Sequence, residues 1–448
     1  SGTATFSVTP SIVSNTTVGG TYQRSLFQTN DCYGEGIPFG TRSCGATTSK
    51  FAVDEDQTDQ KTLGMFGRQE VAISDRLFLA GSVRADNNSG LVRDISGLSW
   101  YPSFNASWVI SSEPFFPSTN FLSQLRLRAG WGQAGQRPGF GDAETFFAPQ
   151  AVRAGNVELP ALILTRTGNP ALKVERTTEI EGGFDIGLLE DRITADFTAF
   201  RRIAKDALIS RNIAPSAGLT ASVFQNLGRV KNWGTEMGLG AKVFEIRRVR
   251  LDTRITATTL HNRIEVLGEG IAPIQFNRGA QQHRENFPTG AYFALPIKYN
   301  DADGNGLLSR EEVRVDSARR LIVPDLINGG LDTLNTAYVG PQLPTNSQTF
   351  NLDLTLFGSV TVSTLFERRA GHKQLNYTEF FRCRQQAGLA FHSQCGALSN
   401  PKASLREQAA FIGAQFFSAT PFGYMEDADF VKWRELSVRF GVPESLGA

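Results

Sequence analysis

The segment DADGNGLLSREE, residues 301–312, carries the clearest chemistry in the chain. Asp301, Asp303 and Asn305 stand where a calcium loop puts its first three side-chain ligands, Gly306 where it turns, and Glu312 where it closes. Calcium takes about six to eight oxygens. This spacing offers side-chain oxygens from Asp301, Asp303 and Asn305, the Leu307 carbonyl, a direct or water-mediated contact from Ser309, and two oxygens from Glu312. The expected cofactor is therefore a structural Ca2+. An EF-hand would add a helix on each side, but the flanks YFALPIKYN and VRVDSARRLIVPD, with Pro296 and many aromatic and β-branched residues, favour extended chain. The alternative reading is an Asx-rich turn with a solvated acidic cluster.

Other residue types with reactive chemistry are less organised. The four cysteines form two equally spaced pairs, Cys32 with Cys44 and Cys383 with Cys395. Two local disulfides in surface loops, and hence an oxidising compartment, are expected; four unrelated thiols are the alternative. His261, His283, His372 and His392 are scattered, and His392 beside Cys395 is too little for a four-ligand zinc site. Glu181 and Asp185 resemble a glycosidase pair, yet 44 carboxylates make chance pairs inevitable. No GxxxxGK[ST] or strand-anchored GxGxxG is present, so neither a nucleotide site nor an enzyme is expected.

The elements that must position these residues read as strands. Of 448 residues, 44 are Gly and 33 are Phe but only 3 are Met, a mixture that suits β-structure. In RITADFTAFRR, Ile193, Ala195, Phe197 and Ala199 share one face and Thr194, Asp196 and Thr198 the other; RVRLDTRITATTLHN and QLRLRAGWGQ alternate in the same way. FNLDLTLFGSVTVSTLFERR predicts a hairpin reversing at Gly358 and Ser359. About a dozen such strands recur, most of them about ten residues long, the length that crosses a tilted bilayer. The connections between them are either a few residues long, as at 188–192 and 245–248, or very long, at 29–61, 135–171, 268–346 and 371–422. Short turns on one rim and long loops on the other predict an all-β transmembrane antiparallel barrel with long extracellular loops. Within the last loop, Ser404 and Glu407 of SLREQAAFIGAQ stand in capping-box register, and YTEFFRCRQQ predicts a second short helix. A net charge of +1 gives no electrostatic case for nucleic acid, and no apolar stretch is long enough for a membrane helix.

The series RLFLAGSVRADNNSG, YPSFNASWVISSEPFF, LSQLRLRAGWGQAGQ, NPALKVERTTEIEGGFDIGLLEDRITADFTAF, NLGRVKNWGTEMGL, YVGPQLPT and YMEDADFVKWRELSVRFGVP resembles, in order and spacing, the barrel of the SusC/RagA family of TonB-linked outer-membrane transporters. The resemblance covers the chain from about Arg76 onward. Asn87 and Asn88 depart from the family's usual Asp-Gly turn, and the cysteine pairs are not a general family feature. It implies that 1–448 is part of a barrel of about 22 strands, without the N-terminal plug and the TonB-contacting peptide, and with 268–346 as an extracellular loop around the calcium segment. It further implies a bacterial outer-membrane location and import of a large nutrient, an oligosaccharide or peptide, driven through TonB under a SusD-like lipoprotein lid. Similar D-x-D-G-[DN]-G segments occur at this place in relatives. Trp100, Tyr101, Trp108, Trp131, Trp233 and Trp433 are expected to form a headgroup girdle. The loop aromatics Tyr33, Phe146, Phe147, Tyr377, Phe380 and Phe381 are candidate ligand contacts. The alternative function is a secreted or surface calcium-stabilised β-protein, an adhesin or glycan-binding module, which predicts shorter strands with one watery face.

Overall fold

The computed structural model describes residues 1–448 other than 38, 41–47, 90–97, 118, 120, 140, 156, 213–221, 227, 269–270, 320–336, 385–396, 398–399, 401, 418–419 and 442–448. Thirteen strands follow one another through a single antiparallel sheet: β1 Gly2–Thr9, β2 Ile12–Glu35, β3 Ser49–Ile73, β4 Leu77–Asn88, β5 Ser99–Val109, β6 Leu122–Gln136, β7 Glu175–Leu188, β8 Ile193–Lys205, β9 Arg229–Ile246, β10 Val249–Val266, β11 Asn346–Leu356, β12 Val360–Ala370 and β13 Phe430–Phe440. Each strand pairs with its sequence neighbour in the series, so successive connections fall on alternate rims. One rim carries turns as short as Arg247–Arg248 between β9 and β10, and the other carries every long excursion. That asymmetry is the barrel signature.

The chain divides into two compact units. In the first, Ser1–Ala106 with Gly130–Thr178 and Lys205–Leu227, strands β2 and β3 pair without interruption from Ile12↔Ile73 to Tyr33↔Ala52. Polar cross-strand partners hold their outer ends: Arg24 makes a forked bond to Asp59 at 2.9 and 3.0 Å, and Gln28 donates to Glu55 at 2.8 Å. The loop expected over 29–61 is therefore mostly a continued hairpin, and the connection proper is only 36–48. Polar residues on both faces of this stretch leave no apolar alternation to mark it as strand. The 135–171 excursion likewise carries its own hairpin, Phe146–Ala154 against Val157–Arg166. A further long connection, 206–228, holds another short hairpin over Leu208–Asn226 and adds to the four that the sequence predicts.

In the second unit, Ser107–Ala129 with Glu179–Ala204 and Gly228–Ala448, the register of β9 to β13 lines up the apolar positions in rows. One row reads Ile246, Val249, Leu356, Val360, Phe440, and three rows further along it reads Leu239, Ile255, Phe350, Phe366, Trp433. These side chains face away from a polar surface of ion pairs such as Arg126 with Asp185 (2.5 Å) and Arg254 with Asp196 (2.9 Å). Exposures of 46% at Leu239, 42% at Ile255 and 37% at Phe350, all on inner strands of the sheet, mark an outward apolar face, which in water would be an aggregation surface and in lipid is the seating surface. The β11–β12 hairpin turns through Phe357 and Gly358, both with positive φ (53° and 73°), one residue earlier than the alternation predicts.

The true core of this unit lies in the excursions. Residues 268–345 hold a four-stranded sheet, Ile274–Phe276, Gln281–His283, Ala291–Ala294 and Ala337–Gly340, and a small hairpin, Ile297–Tyr299 against Val313–Val315. The connection before β13 holds helices α1, Tyr377–Cys383, and α2, Leu405–Phe416. Ser404 and Glu407 form the expected capping box at the start of α2. Ala409 and Ile412 of α2 pack on Ile297, Leu308 and Val313, burying the hairpin that carries the acidic segment.

Candidate functional site

Residues 301–312 bridge the two strands of that small hairpin, with no helix before them and a single 3-10 turn, Arg310–Glu312, at their end. The flanking strands fix the ends of the loop, and Asn300 N–H donates to the Glu312 carbonyl at 3.0 Å. Gly304 and Gly306 take positive φ, 70° and 78°, where an L side chain is strained. The Asp301 carboxylate accepts from Gly306 N–H at 3.0 Å, Asp303 from Asn305 N–H at 3.1 Å, and the Asn305 side-chain carbonyl from Leu307 N–H at 2.7 Å. Glu312 spans the opening, accepting from Ala302 N–H at 2.7 Å and Ser309 N–H at 2.8 Å. Those backbone donors hold its carboxyl below the usual carboxylate range.

These bonds bring one carboxylate oxygen each of Asp301, Asp303 and Glu312 within 4.8 Å of one another. Three like charges so close repel unless a cation lies among them. The second Asp301 oxygen, Oδ1, is buried with no hydrogen-bond partner, an orphaned acceptor that a cation would satisfy. The donor set is hard oxygen, which suits Ca2+. Asp301, Asp303 and Glu312 thus fit a divalent cation, whereas the Asn305 amide is engaged within the loop, its Nδ2 donating to Asp303 at 2.7 Å. Leu307 and Ser309 lie along the same turn and are exposed.

The loop also depends on Gln408, a residue that the motif itself does not point to. Fully buried on α2, it accepts from Leu308 N–H at 2.7 Å and donates to the carbonyls of Gly306 (3.0 Å) and Ala403 (3.1 Å). One side chain from a different excursion therefore fixes the floor of the acidic loop. The one signal in the sequence is an amide lying on the same helix face as Leu405 and Ile412, where an apolar residue is the rule.

Beside α2, a cavity of about 660 Å3 is lined by charges of both signs, Glu379, Arg382, Arg406, Glu407, Glu426 and Asp427. Arg382 bonds Glu379 at 2.9 Å, and Lys373 bonds Asp427 at 2.5 Å. Of the aromatics expected to meet ligand, Tyr33, Phe147, Tyr377 and Phe381 are exposed, and Phe146 is 37% exposed. Phe380 corrects its expectation: it is 5% exposed in a cluster with Cys383, Ala410 and Tyr424, because α1 turns that side of its apolar face inward. No free cysteine is found among the described residues. Cys32 is exposed on β2 and Cys383 ends α1, while Cys44 and Cys395 lie outside the described residues, as does His392. The remaining histidines lie apart: His261 stacks on Trp233, His283 Nδ1 accepts from Gly290 N–H at 3.1 Å, and His372 lies 3.9 Å from Asp429. Asp185 is taken up by Arg126 and Arg128.

A meander of long strands, bare apolar rows on one face and all long excursions on one rim define a membrane β-barrel. The family described as TonB dependent receptor-like, beta-barrel, matches residues 2–355, and the chain belongs to it: an outer-membrane barrel. Its relatives include the TonB-dependent receptor SusC of Bacteroides thetaiotaomicron, 26% identical over 279 residues, which are 56% of this chain and 28% of SusC. The TonB-dependent receptor P3 of Formosa agariphila is 22% identical over 402 residues, 87% of this chain and 39% of the relative. The chain thus spans well under half the length of these relatives. Among solved structures, the RagAB peptide transporter superposes with a TM-score of 0.80 at 16% identity, covering 99% of this chain and 48% of that one. At that identity the likeness carries the fold.

Proposed function

We propose that this chain is part of an importer that carries a large nutrient, an oligosaccharide or peptide, across the outer membrane, with energy delivered through TonB and a SusD-like lipoprotein as its lid. The observation that carries the reading is the match over 99% of the chain to the barrel of a peptide transporter. The long excursions on one rim, with their mixed-charge cavity and exposed aromatics, suit contact with a polar polymer. Asp301, Asp303 and Glu312, with Asn305, Leu307 and Ser309 along the turn, hold a structural Ca2+ in this proposal, which stiffens the excursion beneath which the nutrient passes. Two local disulfides, Cys32 with Cys44 and Cys383 with Cys395, add further bracing. The secreted adhesin or glycan-binding reading predicts short strands with a watery outer face, and the lengths of β2 to β13, 11 to 25 residues, with their bare apolar rows speak against it.

The test is to extract the full-length protein from outer membranes in detergent and identify by mass spectrometry what remains bound. A lipoprotein of the SusD type with an oligosaccharide or peptide is the expected result. A solitary protein would remove the lid from the proposal, and a protein soluble without detergent would overturn it.

A further inference from the structure

The apolar face of β8 to β13 is not smooth. Small side chains at Ala195, near the short turn of its own strand, and at Ala257, further toward the long excursions, lie among tall aromatic ones, and the result is a depression of about 730 Å3, within the roughly 300–1,000 Å3 of small-molecule sites. Phe197 stacks on Phe184 at 5.6 Å on one side. On the other, Phe350 stands 6.5 Å from Phe366, which in turn stacks on Trp433 at 6.1 Å.

Its depth in the membrane follows from the register. From the row Leu356–Val360 beside the short turn to the row Gln348–Arg368 is eight residues along β11. At about 3.4 Å per residue this is ~27 Å of strand. Tilted about 40°, it rises ~21 Å against an apolar band of about 25 Å. Arg368 therefore stands at the outer border of the band, on the lipid-facing side, one step beyond the aromatic row. An arginine near the membrane centre would cost roughly 2–4 kcal/mol, but at this border the cost falls to about 0–1.

Arg368 is exposed, and among the described residues it makes no ion pair; its contact is a long bond, 3.4 Å, to the Gln348 side chain. The carboxylate next to it, Glu367, points to the polar face and is shared by Arg369 and Arg434. A guanidinium at headgroup height above an apolar trough matches a lipid with a phosphate over its acyl chains. We propose that the depression seats one phosphorylated glycolipid of the outer leaflet, its phosphate on Arg368 and an acyl chain over Ala257 between Phe197 and Phe350. This rests on the chain's place in the outer membrane and not on the nutrient, so the two proposals can fail separately.

The full-length protein, stripped of lipid in detergent and reconstituted in phosphatidylcholine nanodiscs, is to be titrated with purified lipid A, and in parallel with phosphatidylglycerol, while native mass spectrometry counts bound lipid. One tightly held lipid A is expected. Arg368→Gln should weaken retention at least tenfold, Arg368→Lys should recover part of it, and Ala257→Phe should block the trough with the phosphate contact left in place. Equal retention by wild type and Arg368→Gln overturns the proposal. So does equal competition by phosphatidylglycerol, which would make the seat a phospholipid site. Unchanged binding by Ala257→Phe overturns the placement of the chain. Heat-modifiable migration on gels confirms that each variant is a folded barrel.

Discussion

Glu312 is the residue on which the acidic loop closes, and its ionisation sets how the loop responds to pH. Its folded-state pKa lies below the unfolded one because the Ser309 and Ala302 N–H groups favour the carboxylate. Its contribution to stability is therefore complete above the unfolded value of about 4.3 and is lost as pH falls through the lower folded value. Cation affinity should fall over the same acidic range and stay flat near neutrality. Terbium luminescence of the full-length protein, titrated from pH 7 downward, checks this, and a loss of affinity already near pH 6 would contradict it. Glu312→Gln should weaken binding by more than the roughly 10–100-fold typical of outer-shell partners, because in the proposed site it removes charge from a direct ligand. The acids of this loop were legible in the sequence because their spacing is set by the local chain alone. Gln408 was not, because its partner Leu308 N–H is 100 residues away and only the fold joins them.

At the scale of elements, α2 and the acidic hairpin form one packed body. Gly413 approaches so closely that a Cβ there would lie 2.7 Å from Ile297 Cδ1. Gln408→Ala would leave the buried Leu308 N–H without its acceptor, at a cost of about 1–3 kcal/mol. It should also weaken cation binding about 10–100-fold although Gln408 is not itself a ligand. Gln408→Glu keeps an acceptor for Leu308 but sets a buried carboxylate oxygen against the Gly306 and Ala403 carbonyls, so it should not restore the affinity; if Gln408→Ala binds terbium like wild type, the bracing role is wrong. The helices were readable because a capping box and an apolar stripe are local signals. The long β2–β3 hairpin was not: its outer half is joined by polar cross-strand pairs such as Arg24 with Asp59 and Gln28 with Glu55, which carry no apolar alternation.

For the whole molecule, the decisive quantity is which face of the sheet meets lipid. Leu352 lies in the middle of the apolar rows, opposite Thr253 and Thr364. Leu352→Arg should destabilise the barrel by roughly 2–4 kcal/mol. Thr361→Arg, on the polar face, forfeits only its hydrogen bond to Thr355, about 1 kcal/mol. Urea unfolding from lipid vesicles distinguishes them: a larger cost for Thr361→Arg would mean that the faces are assigned the wrong way round, and equal costs would contradict a lipid-facing side altogether. The barrel was largely foreseeable because period-two alternation and the contrast of short and long connections survive in a single sequence. What the loops would hold was not, because nothing in strand periodicity encodes it.

Gln408 also has a meaning for descent. By tying 301–312 to a helix about a hundred residues downstream, it makes the two excursions a single heritable unit. A lineage that lengthens, trims or exchanges one of them must alter the other in step.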